Sequence, residues 1–276
     1  MILDRFRLDD RVAVVTGAGL GIGRGIALGL AQAGADVVLA ARTEADLEEV
    51  AAAVEAAGRR ALVVPTDVTD LDQLERLVDR AVEGFGRLDI AVNNAGGAMP
   101  RAALDTSAGF LERAFHFNVT APFTLTKLAA RRMVDTVGRG AVVNISSRSA
   151  SMTQTSFAAY GAVKAALDRL TRNMAPELAP RVRLNALDVG GVATRSLDVV
   201  LTDDALRRQF LDATPMGRPG QPEDIACAVV YLVSDAGSWV TGKVFEIDGG
   251  TEAPAIAVPV TPLEPSPPPE GSHQVR

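Results

Sequence analysis

Cysteine, histidine and aromatic residues are scarce in this chain. A single cysteine, Cys227, stands among 276 residues, so no intrachain disulfide can form and the Cys/His spacings of a metal site are absent. Cys227 lies in the apolar run Ile225–Val230 and reads as a small buried hydrophobe. Positive charge is also short: 28 Lys and Arg stand against 34 Asp and Glu, a net charge of -6. The basic footprint that neutralises nucleic-acid phosphates is therefore missing. No uncharged apolar run approaches the ~20 residues that cross a bilayer. The first ten residues, with Asp4, Arg5, Arg7, Asp9 and Asp10, lack the apolar centre of a secretory signal. The expectation is a soluble, cytoplasmic protein that binds neither nucleic acid nor membrane.

What is present is alternation. Short apolar runs at 12–16, 37–41, 61–65, 90–93, 141–146, 183–187 and 244–247 read as strands buried on both faces. Between them, 23–33, 43–57, 71–85, 109–133, 158–178 and 222–232 have helical composition or spacing. Gly34, Gly58, Gly86 and Gly138 fall where helices should stop. Pro176 would kink or end the helix that begins at Ala158. The fold class implied is α/β: one Rossmann-type doubly wound sheet of about seven mostly parallel strands, with helices on both faces. Residues 1–250 form one catalytic domain, with a mobile substrate flap at about 190–219 that includes Pro215, Gly217 and Pro219. From 251 to 276 the chain carries seven of its fifteen prolines, among them Pro267-Pro268-Pro269, and reads as an extended, mobile tail.

Two stretches carry chemistry. The first strand runs into Thr16-Gly17-Ala18-Gly19-Leu20-Gly21-Ile22-Gly23, where small residues permit a tight turn and a close approach of backbone to pyrophosphate at a helix N-terminus. Tyr160 and Lys164, four residues apart, share a helix face, so an ammonium can sit beside a phenol and lower its pKa by roughly 1 to 3 units. Ser147 precedes Tyr160 by thirteen residues, with Ser146 as the competing hydroxyl. Ser147 as a hydrolytic nucleophile is weaker, because no recognisable motif places a histidine base.

Thr16-Gly-x-x-x-Gly-Ile-Gly23, Asn93-Asn94-Ala95-Gly96, Asn118, Ser147 and Tyr160-x-x-x-Lys164 together resemble the short-chain dehydrogenase/reductase superfamily, in its single-domain branch, over about residues 8–250. The resemblance implies a catalytic set of Asn118, Ser147, Tyr160 and Lys164. It also implies a cofactor site of Gly17, Leu20, Gly21, Ile22, Gly23, Arg42, Asp67, Val68, Asn94, Ala95, Gly96, Tyr160, Lys164, Gly190, Val192 and Thr194, with no metal. Asn93, Ala95 and Gly96 would line the adenine side with Asp67-Val68, and Thr194 would reach the nicotinamide carboxamide. Two positions depart from the pattern: Val189 stands where a proline is usual, and Ala150 where a glycine is common. At the end of the second strand Ala41 fills the acidic slot of NAD enzymes and Arg42 follows, which favours NADP(H), with NAD(H) the alternative.

The reaction implied is interconversion of a secondary alcohol and a ketone. Arg172-Asn173-Met174-Ala175, Thr214-Pro215-Met216, Gly220–Ala226 and Ser238–Gly242 resemble bacterial 7-alpha-hydroxysteroid dehydrogenases, pointing to a bulky apolar small molecule such as a steroid. The alternatives are a 3-ketoacyl thioester reductase and, in another class, a nicotinamide-nucleotide sensor without turnover. By the same resemblance the protein is a homotetramer.

Overall fold

Burial of the run Val12–Thr16 along its whole length places it at the centre of a sheet covered on both faces. The structure, a computed structural model, describes residues 1–195, 197–256, 258 and 260–264. Seven strands are β1 (Val12–Thr16), β2 (Asp36–Ala41), β3 (Ala61–Pro65), β4 (Ile90–Asn93), β5 (Gly140–Ile145), β6 (Val182–Val189) and β7 (Val244–Ile247). They pair in parallel in the order β3-β2-β1-β4-β5-β6-β7. The order reverses between β1 and β4, and in such sheets ligands bind at that switch point, beyond the carboxyl ends of the strands.

Helices α1 (Gly21–Gln32), α2 (Glu44–Ala56), α3 (Leu71–Phe85), α4 (Ala108–Phe115), α5 (Ala121–Val137), α6 (Ala158–Leu178), α7 (Asp198–Thr202), α8 (Asp204–Asp212) and α9 (Pro222–Val233) follow the strands. Successive β1 side chains point to opposite faces. Ala13 and Val15 join one core with Ile26, Leu39 and Ile225, while Val12 and Val14 join a second with Leu77, Leu125 and Val142. Among the described residues no helix is long and apolar enough to cross a membrane.

Several sequence expectations are corrected. The helix expected over 109–133 is α4 and α5 joined by a π-helical turn at His116–Thr120. Pro176 does not end α6, which runs on for two residues to Leu178 with the bond to the Arg172 carbonyl missing. Cys227 is exposed, since it lies about a third of a turn round α9 from the packed Ala226. The flap holds α7 and α8, and Phe210 of α8 is 6 % exposed, against Gly191. Beyond β7 the described residues form no strand or helix, but Thr251 is buried and the Val258 carbonyl accepts a 2.7 Å bond from Thr155 Oγ1. Pro267-Pro268-Pro269, on which the mobile tail rests, lies outside the described residues.

Candidate active site

The turns after β1 and β4 are stitched together at the switch point. Thr16 Oγ1 accepts from the amides of Asn94 (3.0 Å) and Ala95 (3.1 Å) and donates to the Val92 carbonyl. Asn94 Nδ2 donates back to the carbonyls of Thr16 (2.8 Å) and Gly17 (3.2 Å). Gly17 has φ +64°, which only glycine adopts freely. At Gly23, in the first turn of α1, a Cβ would stand 2.1 Å from the Gly17 carbonyl oxygen and 2.5 Å from Asn94 Nδ2. The turn is therefore closed around backbone, with the α1 N-terminus beneath it.

Above this turn opens a cavity of about 750 Å³. Of the residues proposed from sequence, Gly17, Leu20, Arg42, Asp67, Val68, Asn94, Ala95 and Gly96 line it. Arg42 is exposed at the end of β2. Bonds from the Thr69 amide and hydroxyl hold the Asp67 carboxyl below its ordinary range, and Arg42, leaving the neighbouring strand end, adds to the effect. Gly21, Ile22 and Gly23 open α1, and the methyl of Thr194 lies 3.1 Å from where a Gly21 Cβ would stand. The loop after β6 thus reaches the glycine turn. Gly190 in that loop is backed by Asp248, and Val192 is buried and bridges to Gly220. Asn93 does not join the cavity as the family likeness implied. Its side chain is 3 % exposed and donates to the Pro122 carbonyl, Thr126 Oγ1 and Asn144 Oδ1.

The chemical edge is built from β5, α6 and the π turn. The hydroxyls of Ser147 and Tyr160 are within hydrogen-bonding reach, and Ser147 Oγ also accepts from the Ser149 amide at 3.2 Å. Ser146 is turned the other way: it is 4 % exposed, and its hydroxyl donates towards the Lys164 carbonyl at 3.4 Å. Lys164 is 3 % exposed, donates from Nζ to the Ile145 carbonyl at 2.9 Å and sits 5.7 Å from the centroid of the Tyr160 ring. Asn118, fully buried, accepts from the Gly97 amide (2.8 Å) and donates to the carbonyls of Gly97 (3.0 Å) and Ala114 (2.9 Å). A Cβ on Gly96 would meet Asn118 Oδ1 at 2.9 Å and Lys164 Nζ at 3.0 Å, so the two side chains converge on that glycine. His116 instead bonds the Thr69 carbonyl through Nε2.

Electrostatics here depart from the expectation drawn from spacing. Burial pushes the Tyr160 phenol above its ordinary value rather than below it; the Ser147 bond works to lower it and Asp188 to raise it. Burial lowers the Lys164 ammonium to about 8, against the charges of Asp168 and Asp188, which favour its protonated form. Those two aspartates escaped the sequence reading. Asp168 stands four residues after Lys164 on one helix face, and Asp188 is a carboxylate between Leu187 and Val189 just beyond the run 183–187, which were the available signals.

The site fits a dinucleotide: a backbone cradle with no room for a Cβ, a helix N-terminus, and a cavity of about 750 Å³ bounded by an arginine and hydrogen-bonded acidic and amide groups. Comparison with known proteins agrees. The family model for enoyl-(acyl carrier protein) reductase matches residues 17–252. An uncharacterized oxidoreductase of Mycobacterium tuberculosis is 49 % identical over 263 residues, 95 % of this chain and 100 % of that protein. The 7alpha-hydroxysteroid dehydrogenase of Escherichia coli is 37 % identical over 248 residues, 90 % of this chain and 96 % of the relative. A solved 7alpha-hydroxysteroid dehydrogenase complexed with NADH and 7-oxoglycochenodeoxycholic acid superimposes with a TM-score of 0.86 at 36 % identity, over 90 % of this chain and 97 % of that one. With the seven-stranded parallel sheet and its glycine turn, these matches show that the chain is an oxidoreductase belonging to the short-chain dehydrogenase/reductase superfamily, whose members use nicotinamide cofactors.

Proposed function

We propose that this protein interconverts a secondary alcohol and a ketone, with Tyr160 as the general acid/base. The observation that carries the reading is the grouping of the Tyr160 phenol with the Ser147 hydroxyl and the Lys164 ammonium beside the glycine turn. A bound nicotinamide supplies or accepts the hydride. In the reductive direction Tyr160 gives its proton to the carbonyl oxygen, while Ser147 hydrogen-bonds that oxygen and orients it. A phenol held up by burial is protonated at neutral pH, which suits this acid role. In the oxidative direction Tyr160 takes the alcohol proton, and the Lys164 charge favours the phenolate. Asn118 holds the Gly96-Gly97 backbone against Lys164.

Arg42, exposed on the cavity wall where Ala41 leaves the acidic position empty, supports NADP(H) as the preferred cofactor. The substrate is a bulky apolar, ring-bearing alcohol or ketone of the hydroxysteroid kind. Support comes from the 7alpha-hydroxysteroid dehydrogenase relatives and from Met99, Leu104 and Met216, exposed on segments that follow β4 and β6. Residues 1–250 act as one catalytic domain, and the assembly proposed is a homotetramer.

The test is nicotinamide absorbance with NADPH and NADH over a panel of 7-oxo bile acids, cyclic ketones and 3-ketoacyl and enoyl thioesters. Turnover of a ring ketone is expected, faster with NADPH. Tyr160→Phe should lose it by at least about 10²-fold while keeping cofactor affinity. Arg42→Ala should weaken NADPH at least tenfold and leave NADH little changed. Cofactor binding with no turnover across the panel, or full activity in Tyr160→Phe, overturns the proposal.

A further inference from the structure

Behind the chemical edge lies a second group of ionisable side chains that the proton-transfer scheme does not use. Asp168 on α6 is 6 % exposed and Asp188 on β6 is 3 % exposed. Their carboxyls lie close enough to act on each other and on the Ser146 hydroxyl, across the contact of α6 with β6. One oxygen of each, Asp168 Oδ1 and Asp188 Oδ1, is buried with no hydrogen-bond donor. Ser146 has one hydrogen, directed towards the Lys164 carbonyl, so it does not supply the missing donors.

Two ionised carboxylates facing each other without donors are a costly arrangement, whereas a single proton placed between them removes one charge and creates one hydrogen bond. Asp168 is one helical turn from Lys164 on the same face of α6, and α6 packs on β6. We propose that Asp168 and Asp188 share one proton, act as a single negative charge behind Lys164, and keep its buried ammonium charged through the neutral range. They are positioning residues: they act through Lys164 and touch neither substrate nor cofactor.

The charged groups around the pair are few. On α6 they are Lys164, Arg172 and Tyr160, and after β5, Arg148. Arg148 is itself engaged: Nη1 is on Glu246 and Ser151 Oγ, and Nε pairs with Asp248 Oδ2 at 2.8 Å as an ion pair without an aligned hydrogen bond. That leaves Lys164 as the fully buried cation the pair can serve. Burial raises both carboxyls and lowers Lys164, the pattern expected when one proton and one ammonium divide a poorly solvated space.

This inference rests on the reading that Lys164 works in the site, but its test reads Lys164 directly. The chain has three lysines, Lys127, Lys164 and Lys243, so lysine labelled with ¹³C at Cε gives three signals, titratable without cofactor or substrate. In the wild type the Lys164 signal should titrate near 8. Asp168→Asn and Asp188→Asn, made singly, keep one negative charge, with the amide taking the place of the shared proton; the midpoint should hold within about 0.3 unit. The double variant removes the charge, and the midpoint should fall by about 1 unit or more, the size of an opposite-charge effect.

The infrared spectrum of the wild type at neutral pH supplies a second measurement that does not need the double variant to fold. It should show a buried protonated carboxyl band that either single variant removes. An absent band, a full shift in a single variant, or an unmoved midpoint in the double variant overturns the proposal. If the midpoint moves as stated while Tyr160→Phe stays active, the pair stands and the catalytic reading falls.

Discussion

Gly23→Ala tests whether the turn between β1 and α1 is the cofactor cradle. The added methyl would lie 2.1 Å from the Gly17 carbonyl oxygen, well inside the contact distance of about 3.5 Å, so that oxygen must retreat by more than about 1 Å. No flexible side chain can absorb the movement, because the obstacle is backbone. Overpacking of this kind costs about 1 to 3 kcal/mol. Asn94 Nδ2, at 2.5 Å from the new methyl, must also swing away from the carbonyls of Thr16 and Gly17, at about 0.5 to 1.5 kcal/mol for each bond lost. Alanine returns about 1 kcal/mol through its helix propensity. The net is about 1 to 5 kcal/mol against the folded protein. A cradle moved by about 1 Å should also weaken dinucleotide binding at least tenfold, or about 1.4 kcal/mol. The assay pairs thermal denaturation of the ligand-free protein with titration of NADPH by nicotinamide fluorescence. Gly58→Ala is the control: its site has φ +79° and open space, so it should lose about 1 to 2 kcal/mol through backbone strain and bind cofactor normally. A Gly23→Ala protein with wild-type affinity refutes the assignment of the turn.

Asp36 accepts from the Arg60 amide (3.0 Å) and Nε (2.8 Å) and lies 3.0 Å from Arg59 Nη2; burial works against its charge, but these groups outweigh it and hold the carboxyl below its ordinary range. A depressed folded-state pKa means stability present above about pH 4 and lost as pH falls through the folded value. Asp36→Asn should therefore cost about 1 to 2 kcal/mol in urea unfolding at pH 7, after discounting the exposed Arg60, and progressively less as pH falls below about 4. Arg148→Met strands the buried Asp248 carboxylate and releases the Thr251 carbonyl, and a loss of about 3 kcal/mol is expected in denaturant unfolding, with faster proteolysis after residue 250. An unchanged midpoint would remove any structural role for that ion pair. Asn118→Ala leaves the Gly97 amide without its acceptor, so kcat should drop while stability falls by about 1 to 3 kcal/mol; equal loss in a ligand-free unfolding assay with full kcat would sever Asn118 from the site.

Strands were the most legible elements because their signal is local. Val12–Thr16 and Ile90–Asn93 are unbroken apolar runs that end in polar or glycine-rich turns, and burial on both faces requires such runs. The four-residue step from Tyr160 to Lys164 likewise survives folding, because α6 is regular there. What spacing could not give is environment. The phenol is raised rather than lowered because burial and Asp188 decide it, and Asp188 reaches the site from β6, outside any sequence window around Tyr160. The π turn at Asn118 was hidden because its residues have helical composition on both sides. Helices α7 and α8 were masked by Pro215, Gly217 and Pro219, which end the segment rather than fill it. Cys227 was misjudged because a wholly apolar run does not say which side of the helix meets the sheet.

The convergence of Asn118 and Lys164 on Gly96 leaves room for no more than a hydrogen atom between the proposed nucleotide wall and the ammonium proposed to assist proton transfer. Any side chain there would wedge the two apart. On the proposed roles, changes along 94–98 should be felt in turnover as well as in affinity, whereas changes confined to Arg42, at the end of β2, should alter the choice of nucleotide and leave turnover with the accepted cofactor unchanged.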